Sequence, residues 1–347
     1  MLSALALPLL LALRLTTEAP GGLPSRQPRI ASTGETIGVV WGSGNAVWYA
    51  SSTDGAKSFS KPVKVGEAKS KLPLGLRRGP RLAMAGSGHA FITAIDGGDV
   101  WLWRSTDNGR SWAPARKIND TPNAAREGFQ SVSAQGRKVI VTWLDLRSTG
   151  TKLYGATSDD AGANWSDNRL VYASPDGHIC ECCHTSSAIG PDGTMYAMFR
   201  NWLGGNRDMY LTSSADNGKT WLPARKLGNG EWKLDACPMD GGSLAVDDDG
   251  KVLTAWRRDK MIYLSVPGQP EVELGPGKQP VALGSAKGPV VLWNEGPALR
   301  MKAGTRAPVV TLAPAGAFAS MTAPSADRAY AVWEEHGAIV VERIDIR

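Results

Sequence analysis

The residues best able to do chemistry are crowded into two short segments. His178-Ile179-Cys180-Glu181-Cys182-Cys183-His184 holds three of the four cysteines and two of the four histidines, and Asp235-Ala236-Cys237-Pro238-Met239-Asp240 holds the remaining cysteine. If residues 180–184 are extended, Cys180, Cys182 and His184 share one face and Cys183 takes the other, because side chains alternate along a strand. Together with Cys183 and Cys237 these groups would give a thiolate-rich site suited to copper or zinc. The competing reading is oxidation, since an exported chain with an even cysteine count usually forms disulfides. A Cys180–Cys237 bond would then leave Cys182 and Cys183 as a strained vicinal pair or as free thiols. The spacing is not that of a zinc finger, and no base can be assigned to a catalytic cysteine.

What positions these residues is a repeat. Ser52-Thr53-Asp54-Gly55-Ala56-Lys57-Ser58-Phe59 returns as Ser105-Thr106-Asp107-Asn108-Gly109-Arg110-Ser111-Trp112. It returns again as Ser158-Asp159-Asp160-Ala161-Gly162-Ala163-Asn164-Trp165 and as Ser214-Ala215-Asp216-Asn217-Gly218-Lys219-Thr220-Trp221. The serines stand at 52, 105, 158 and 214, so successive copies are 53, 53 and 56 residues apart. In Ser-x-Asp-x-Gly-x-x-Trp the Asp accepts backbone N–H bonds inside a turn, Gly takes a positive φ and the aromatic ring anchors the hairpin. The first copy departs from the pattern, with Gly55 and Ala56 where x and Gly belong.

This motif resembles the Asp-box, or BNR, repeat of sialidases and other β-propellers. Strand-like runs around the first copy, Pro28 to Ser32, Ile37 to Trp41, Val47 to Ser51 and Pro62 to Val65, make one four-stranded blade. The second-strand pattern recurs at Ala90 to Ile95, Val139 to Trp143, Met195 to Phe199, Val252 to Trp256, Val290 to Trp293 and Ala329 to Trp333. Seven blades follow by count, in an all-β propeller of four-stranded antiparallel sheets; six is the alternative that the resemblance to sialidases implies. The last three units lack a box. The seventh lacks a fourth strand after Val341, which the segment before Pro28 could supply. Trp41, Trp143, Trp256, Trp293 and Trp333 end second strands and are read as packing residues.

In a propeller the loops before first strands and between second and third strands share one face, where ligands usually enter. Arg26, Arg77, Arg78, Arg126 and Glu127 fall at the starts of the first three blades. The second-to-third-strand loops add Asp145, Arg147, Arg200 and Arg207, and Asp240 precedes the fifth blade. Converging arginines bind carboxylate, sulfate or phosphate in bidentate fashion, so an anionic ligand is expected there. The resemblance implies a carboxylate-bearing glycan, and in sialidases an arginine triad, a Tyr–Glu nucleophile pair and an Asp acid/base. Arg29-Ile30 keeps the start of that family's Arg-Ile-Pro motif, with Ala31 in place of proline. No Tyr–Glu pair can be named, because Tyr49, Tyr154, Tyr196, Tyr210, Tyr263 and Tyr330 fall inside expected strands. Two functions therefore stand: a sialidase-like glycan binder that extends to hydrolysis, and a non-catalytic binding propeller with a Cys/His metal site.

Composition agrees with this layout. Of 347 residues 42% are hydrophobic and 21% charged, which excludes a disordered chain, and 40 Gly with 22 Pro suit many tight turns. The net charge of +6 is spread along the chain rather than gathered with stacking aromatics, which argues against nucleic acid. The apolar start MLSALALPLLLALRLTTEAP is too short to span a bilayer and reads as a signal peptide over residues 1–19. A short N-terminal core strand is the other reading of that stretch. Residues 20–347 would form one monomeric propeller domain, periplasmic or secreted, with no transmembrane segment.

Overall fold

The computed structural model describes residues 13–15, 22–266, 269–285, 287–304, 306–325, 327–344 and 346. Among them there is no helix, and none therefore long and apolar enough to cross a membrane. The strands form seven separate antiparallel sheets of four. Six of the sheets run in simple chain order, and the first strands of neighbouring sheets pack against one another in a closed ring. The molecule is thus a seven-bladed propeller, and the six-blade alternative does not hold. The C-terminal units lack boxes and are shorter, yet each is part of a four-stranded sheet.

Each blade begins at the centre: Arg26–Thr33, Arg81–Ala85, Ser131–Gln135, Ser186–Ile189, Ser243–Val246, Lys278–Leu283 and Ala317–Ser325 are the seven innermost strands. The second strands lie between neighbouring blades and are buried on both faces. Lys138–Asp145, KVIVTWLD, is buried at every residue after the lysine, the near-continuous apolar run expected of a strand with no solvent face. Trp41, Trp143, Trp293 and Trp333 are fully buried at the ends of such strands, as packing residues should be.

Closure uses both ends of the chain. The seventh blade, Ala317–Ser325, Arg328–Glu335 and Ala338–Ile344, takes its fourth strand from Leu13–Leu15, which pairs Leu13 with Val341 and Leu15 with Ile339. Leu15 is buried with Ile339, Val341 and Trp41. The rest of the expected signal peptide, residues 1–12 and 16–19, lies outside the described residues.

The boxes staple blades together on the face opposite the mouth. In the second box, Asp107 accepts the Ser111 N–H at 2.9 Å and hydroxyl bonds from Ser105 at 2.8 Å and Ser111 at 2.6 Å. The fourth residue of every box then offers its carbonyl to the preceding blade. Tyr330 Oη donates to Gly55, Tyr49 Oη to Asn108, Arg104 Nε to Ala161 and Thr157 Oγ1 to Asn217, over 3.0, 3.1, 2.6 and 2.9 Å. The irregular first box keeps this geometry because Ala56 accepts a φ of 60°, close to the 82° of Gly109 at the same position. At Gly109 a side chain has no room, since a Cβ there would overlap the Tyr49 ring.

Two predictions follow from this architecture. A chain starting at residue 20 loses the closing strand and should melt below the full chain in a thermal scan; equal melting temperatures would remove Leu13–Leu15 from the fold. The hydrogen bonds from Ser111 hold the Asp107 carboxyl down at about 2. An unfolded Asp titrates near 4, so the box stabilises the fold above that value and loses its contribution as pH falls from ~4 through ~2. Asp107→Asn should lower the melting temperature by a few degrees at pH 7, and the gap to wild type should close at pH 2.

Candidate functional site

At the mouth end of the central tunnel lies a cavity of about 180 Å³. Every innermost strand contributes to its lining, among them Arg29, Arg81, Ser131, Ser186, Ser243, Val281 and Ser320, joined by Arg77 and His184 from the loops above. Arg29 and Arg81 stand 52 residues apart, one blade repeat, and so occupy equivalent positions on adjacent blades.

The arginines are only partly satisfied. Arg77 Nη2 donates to the Gln279 carbonyl at 2.6 Å, and Arg81 donates through Nε to the Gln130 carbonyl at 3.0 Å and through Nη2 to the Arg77 carbonyl. Arg29 Nη1 reaches the Ala319 carbonyl at 3.2 Å. Arg77 Nε and Arg81 Nη1, both buried, find no partner among the described residues. Burial lowers Arg77 to about 10, against the pull of Asp240, and burial with the Arg77 charge beside it lowers Arg81 to about 9. Burial and the neighbouring Arg77, Arg81 and Arg29 push His184 well below its ordinary value, so the ring is neutral at pH 7. Three guanidiniums stand here without a carboxylate in contact, two of them with idle donors, a set chemically suited to accept an anion.

Strained backbone shapes the cavity rim. Gln27, Gln279 and Phe318 adopt φ of 53°, 58° and 55° where the innermost strands of blades one, six and seven bulge, and Arg77 sits at 63°. Such conformations are rare for residues other than glycine and cluster at functional sites.

A second buried arginine system locks blade four to blade five. Arg200, at the end of the strand Met195–Arg200, is 1% exposed and spends its donors on backbone carbonyls. Nε and Nη2 reach Asp240 at 3.1 and 3.0 Å, Nη1 reaches Arg207 at 2.6 Å and Nη2 also reaches Arg257 at 2.9 Å. The Asp240 side chain accepts the Gln279 N–H at 2.8 Å through Oδ2, while Oδ1 has no partner. Burial outweighs that bond and the nearby arginines and pushes its carboxyl upward.

Arg207 is held by the Leu234 carbonyl at 3.0 Å and stacks on Trp202, and its Nη1 lies 3.1 Å from Cys180 Sγ. Cys180 Sγ in turn stands 3.6 Å from Cys182 Sγ and 3.3 Å from Cys183 Sγ, and the three sulfurs all lie within 4.8 Å of one another. Hydrogen bonds from Cys182 and Cys183, backed by Arg200 and Arg207, drive the Cys180 thiol far down against its burial. Bonding to Cys180 pushes Cys182 up to about 12, and burial pushes Cys183 up.

The structure redistributes the residues singled out in the sequence. Residues 181–183 form a turn rather than a strand, so alternation fails there and Cys183 joins Cys180 and Cys182. His184 leaves that set: its Nδ1 accepts the Gly241 N–H at 3.2 Å, and its ring lines the tunnel. Cys237 is exposed and unpaired, apart from the buried Cys180 that it was expected to join. Of the expected mouth arginines, Arg77 alone lines the cavity. Arg26 and Arg126 are exposed on the rim, and Arg78 clasps the Glu127 carbonyl at 2.7 Å over the Phe129 ring. Asp145 is spent on Trp143 Nε1 at 2.7 Å and on Arg147, a clasp within blade three. Arg81 was missed, and Arg29 was read as a motif remnant; their one-repeat spacing was the signal that could have found both.

Arg200→Ala would strand the carbonyls of Asp240, Arg207 and Arg257 in the interior. It should cost at least about 3 kcal/mol in denaturant unfolding. A loss under about 1 kcal/mol would show that the blade junction does not depend on this guanidinium.

No curated protein is similar in sequence. Solved structures show the same fold. A polysaccharide lyase, Uly1, superposes with a TM-score of 0.59 at 10% identity, covering 93% of this chain and 90% of its own. The leech intramolecular trans-sialidase gives 0.56 at 12% identity over 93% and 68% of the two chains. The NanB sialidase of Streptococcus pneumoniae gives 0.55 at 10% identity over 96% and 70%. The BNR repeat-like domain family matches residues 46–256, more than half of the chain, and the protein belongs to that family.

Proposed function

We propose that the protein, as an exported monomer, binds a carboxylate-bearing glycan through the arginine-lined cavity at the mouth of its tunnel. The observation that carries this reading is the pair of buried, unpartnered donors Arg77 Nε and Arg81 Nη1 beside Arg29. An anion accepting from them would offset the burial that already lowers both guanidiniums. At about 180 Å³ the cavity is smaller than the ~300 Å³ lower end of small-molecule pockets. It admits one acidic group with part of a ring, while the remaining sugar would lie outside it. Sialidase and polysaccharide-lyase neighbours support a glycan as the bearer of that group.

Binding is favoured over hydrolysis because none of the seven tyrosines lines the cavity. A hydrolytic reading draws on Asp240, whose raised carboxyl and idle Oδ1 suit a general acid. Export rests on the apolar run at the N-terminus. Cleavage after residue 19 would remove the strand at Leu13–Leu15, so N-terminal sequencing of the mature protein discriminates leader from closing strand.

Calorimetric titration with a sialic acid, a hexuronic acid and a neutral hexose tests the binding. Acidic sugars should bind and the neutral one should not. Arg81→Ala should weaken the acidic sugars by at least about tenfold, with Arg126→Ala close to wild type. Equal binding of the neutral hexose, or no effect of Arg81→Ala, would overturn the reading. Turnover of a fluorogenic sialoside that disappears in Asp240→Asn would move the assignment to hydrolysis.

A further inference from the structure

The thiol cluster lies outside the cavity, and anion binding does not use it. Its three sulfurs come from one turn, Cys180 to Cys183, and are 1%, 6% and 2% exposed. Around a single ion with metal–sulfur bonds of about 2.3 Å, three sulfurs stand about 4 Å apart. The observed 3.3 and 3.6 Å, with the remaining pair inside 4.8 Å, would have to change by less than about 1 Å each to reach that arrangement. Among the described residues no histidine or carboxylate joins the three sulfurs to complete a tetrahedron. His184, next in sequence, is turned away by its bond from Gly241. The neighbour packed on the sulfurs is Met239, a half-buried thioether.

We propose that Cys180, Cys182 and Cys183 form a site for a soft monovalent metal, copper(I), held by three thiolates with Met239 covering it. A three-sulfur set satisfies copper(I), whereas a structural zinc site needs a fourth strong ligand. Charge points the same way. Copper(I) with three thiolates carries two negative charges, and two guanidiniums are at hand: Arg207, 3.1 Å from Cys180 Sγ, and Arg200, bonded to the Arg207 carbonyl. Binding displaces the protons of the thiols that still carry them, and no electron is transferred. Exposed Cys237 and half-buried Met239 lie two residues apart in the covering segment, so a soft ligand stands at the solvent side and another against the cluster.

The test uses the full-length protein, reduced and handled without oxygen. It is titrated with copper(I) against a chelator competitor, and separately with zinc(II), and sulfur neighbours are counted by X-ray absorption. One copper(I) per chain with three sulfur neighbours is expected. Cys182→Ser and Cys183→Ser should each weaken it by about a hundredfold or more, while Cys237→Ser retains the full equivalent. Because the wild-type spectrum alone reports the ligand set, misfolding of a variant does not blunt the test. Four matters would overturn the site: failure to hold copper(I) against the chelator, tighter retention of zinc, fewer than three sulfur neighbours, or loss of the ion in Cys237→Ser. Failure here leaves sugar binding at Arg81 untouched, since that titration requires no metal.

Discussion

The Arg200 guanidinium ties the loops of blades four and five together and, through them, the thiol turn and Arg77. It is a buried cation that meets no carboxylate and spends its hydrogen bonds on three carbonyls, those of Arg207, Asp240 and Arg257. One end of this bracket fixes the loop that brings Arg207 to Cys180. The other fixes Asp240, which holds Gln279, whose carbonyl in turn receives Arg77. A lysine could not replace it, because the planar fork is what lets one side chain span three acceptors on two blades. Its charge stays uncancelled at short range, so it adds to the positive field that lowers His184 and favours the Cys180 thiolate.

The two faces divide the work. On one, four box turns repeat the same carbonyl-to-donor bond across four blade junctions, and closure by Leu13–Leu15 completes the ring. On the other, positive-φ residues at Gln27, Arg77, Met239 and Gln279 bend the backbone. A stapled base can carry a strained mouth, because the cost of those conformations is borne by a ring that has no free edge along which to open.

How much of this could be read in the sequence follows from what spacing encodes. The serines of the boxes recur every 53 to 56 residues, and the apolar second strands, five of which carry a tryptophan near their end, continue the count beyond the last box. Even the fourth strand of blade seven was legible as a deficit to be made good from the N-terminus. Side-chain direction in loops is another matter. Arg77 and Arg78 are adjacent, yet one enters the tunnel and its neighbour stacks on Phe129, because a positive φ at Arg77 redirects the chain. Strand alternation misplaced Cys183 and His184 for the same reason, since a turn at residues 181–183 breaks the period. Asp145 and Arg147 looked like ligands but answer the indole N–H of Trp143 and each other.

The most direct test of the account is a crystal structure grown with selenate, an oxyanion whose anomalous scattering locates it without a search. The account predicts a single strong peak in the tunnel mouth within hydrogen-bonding distance of Arg77 Nε and Arg81 Nη1. Selenate found only at exposed rim arginines such as Arg26 and Arg126, with the tunnel clear, would contradict it.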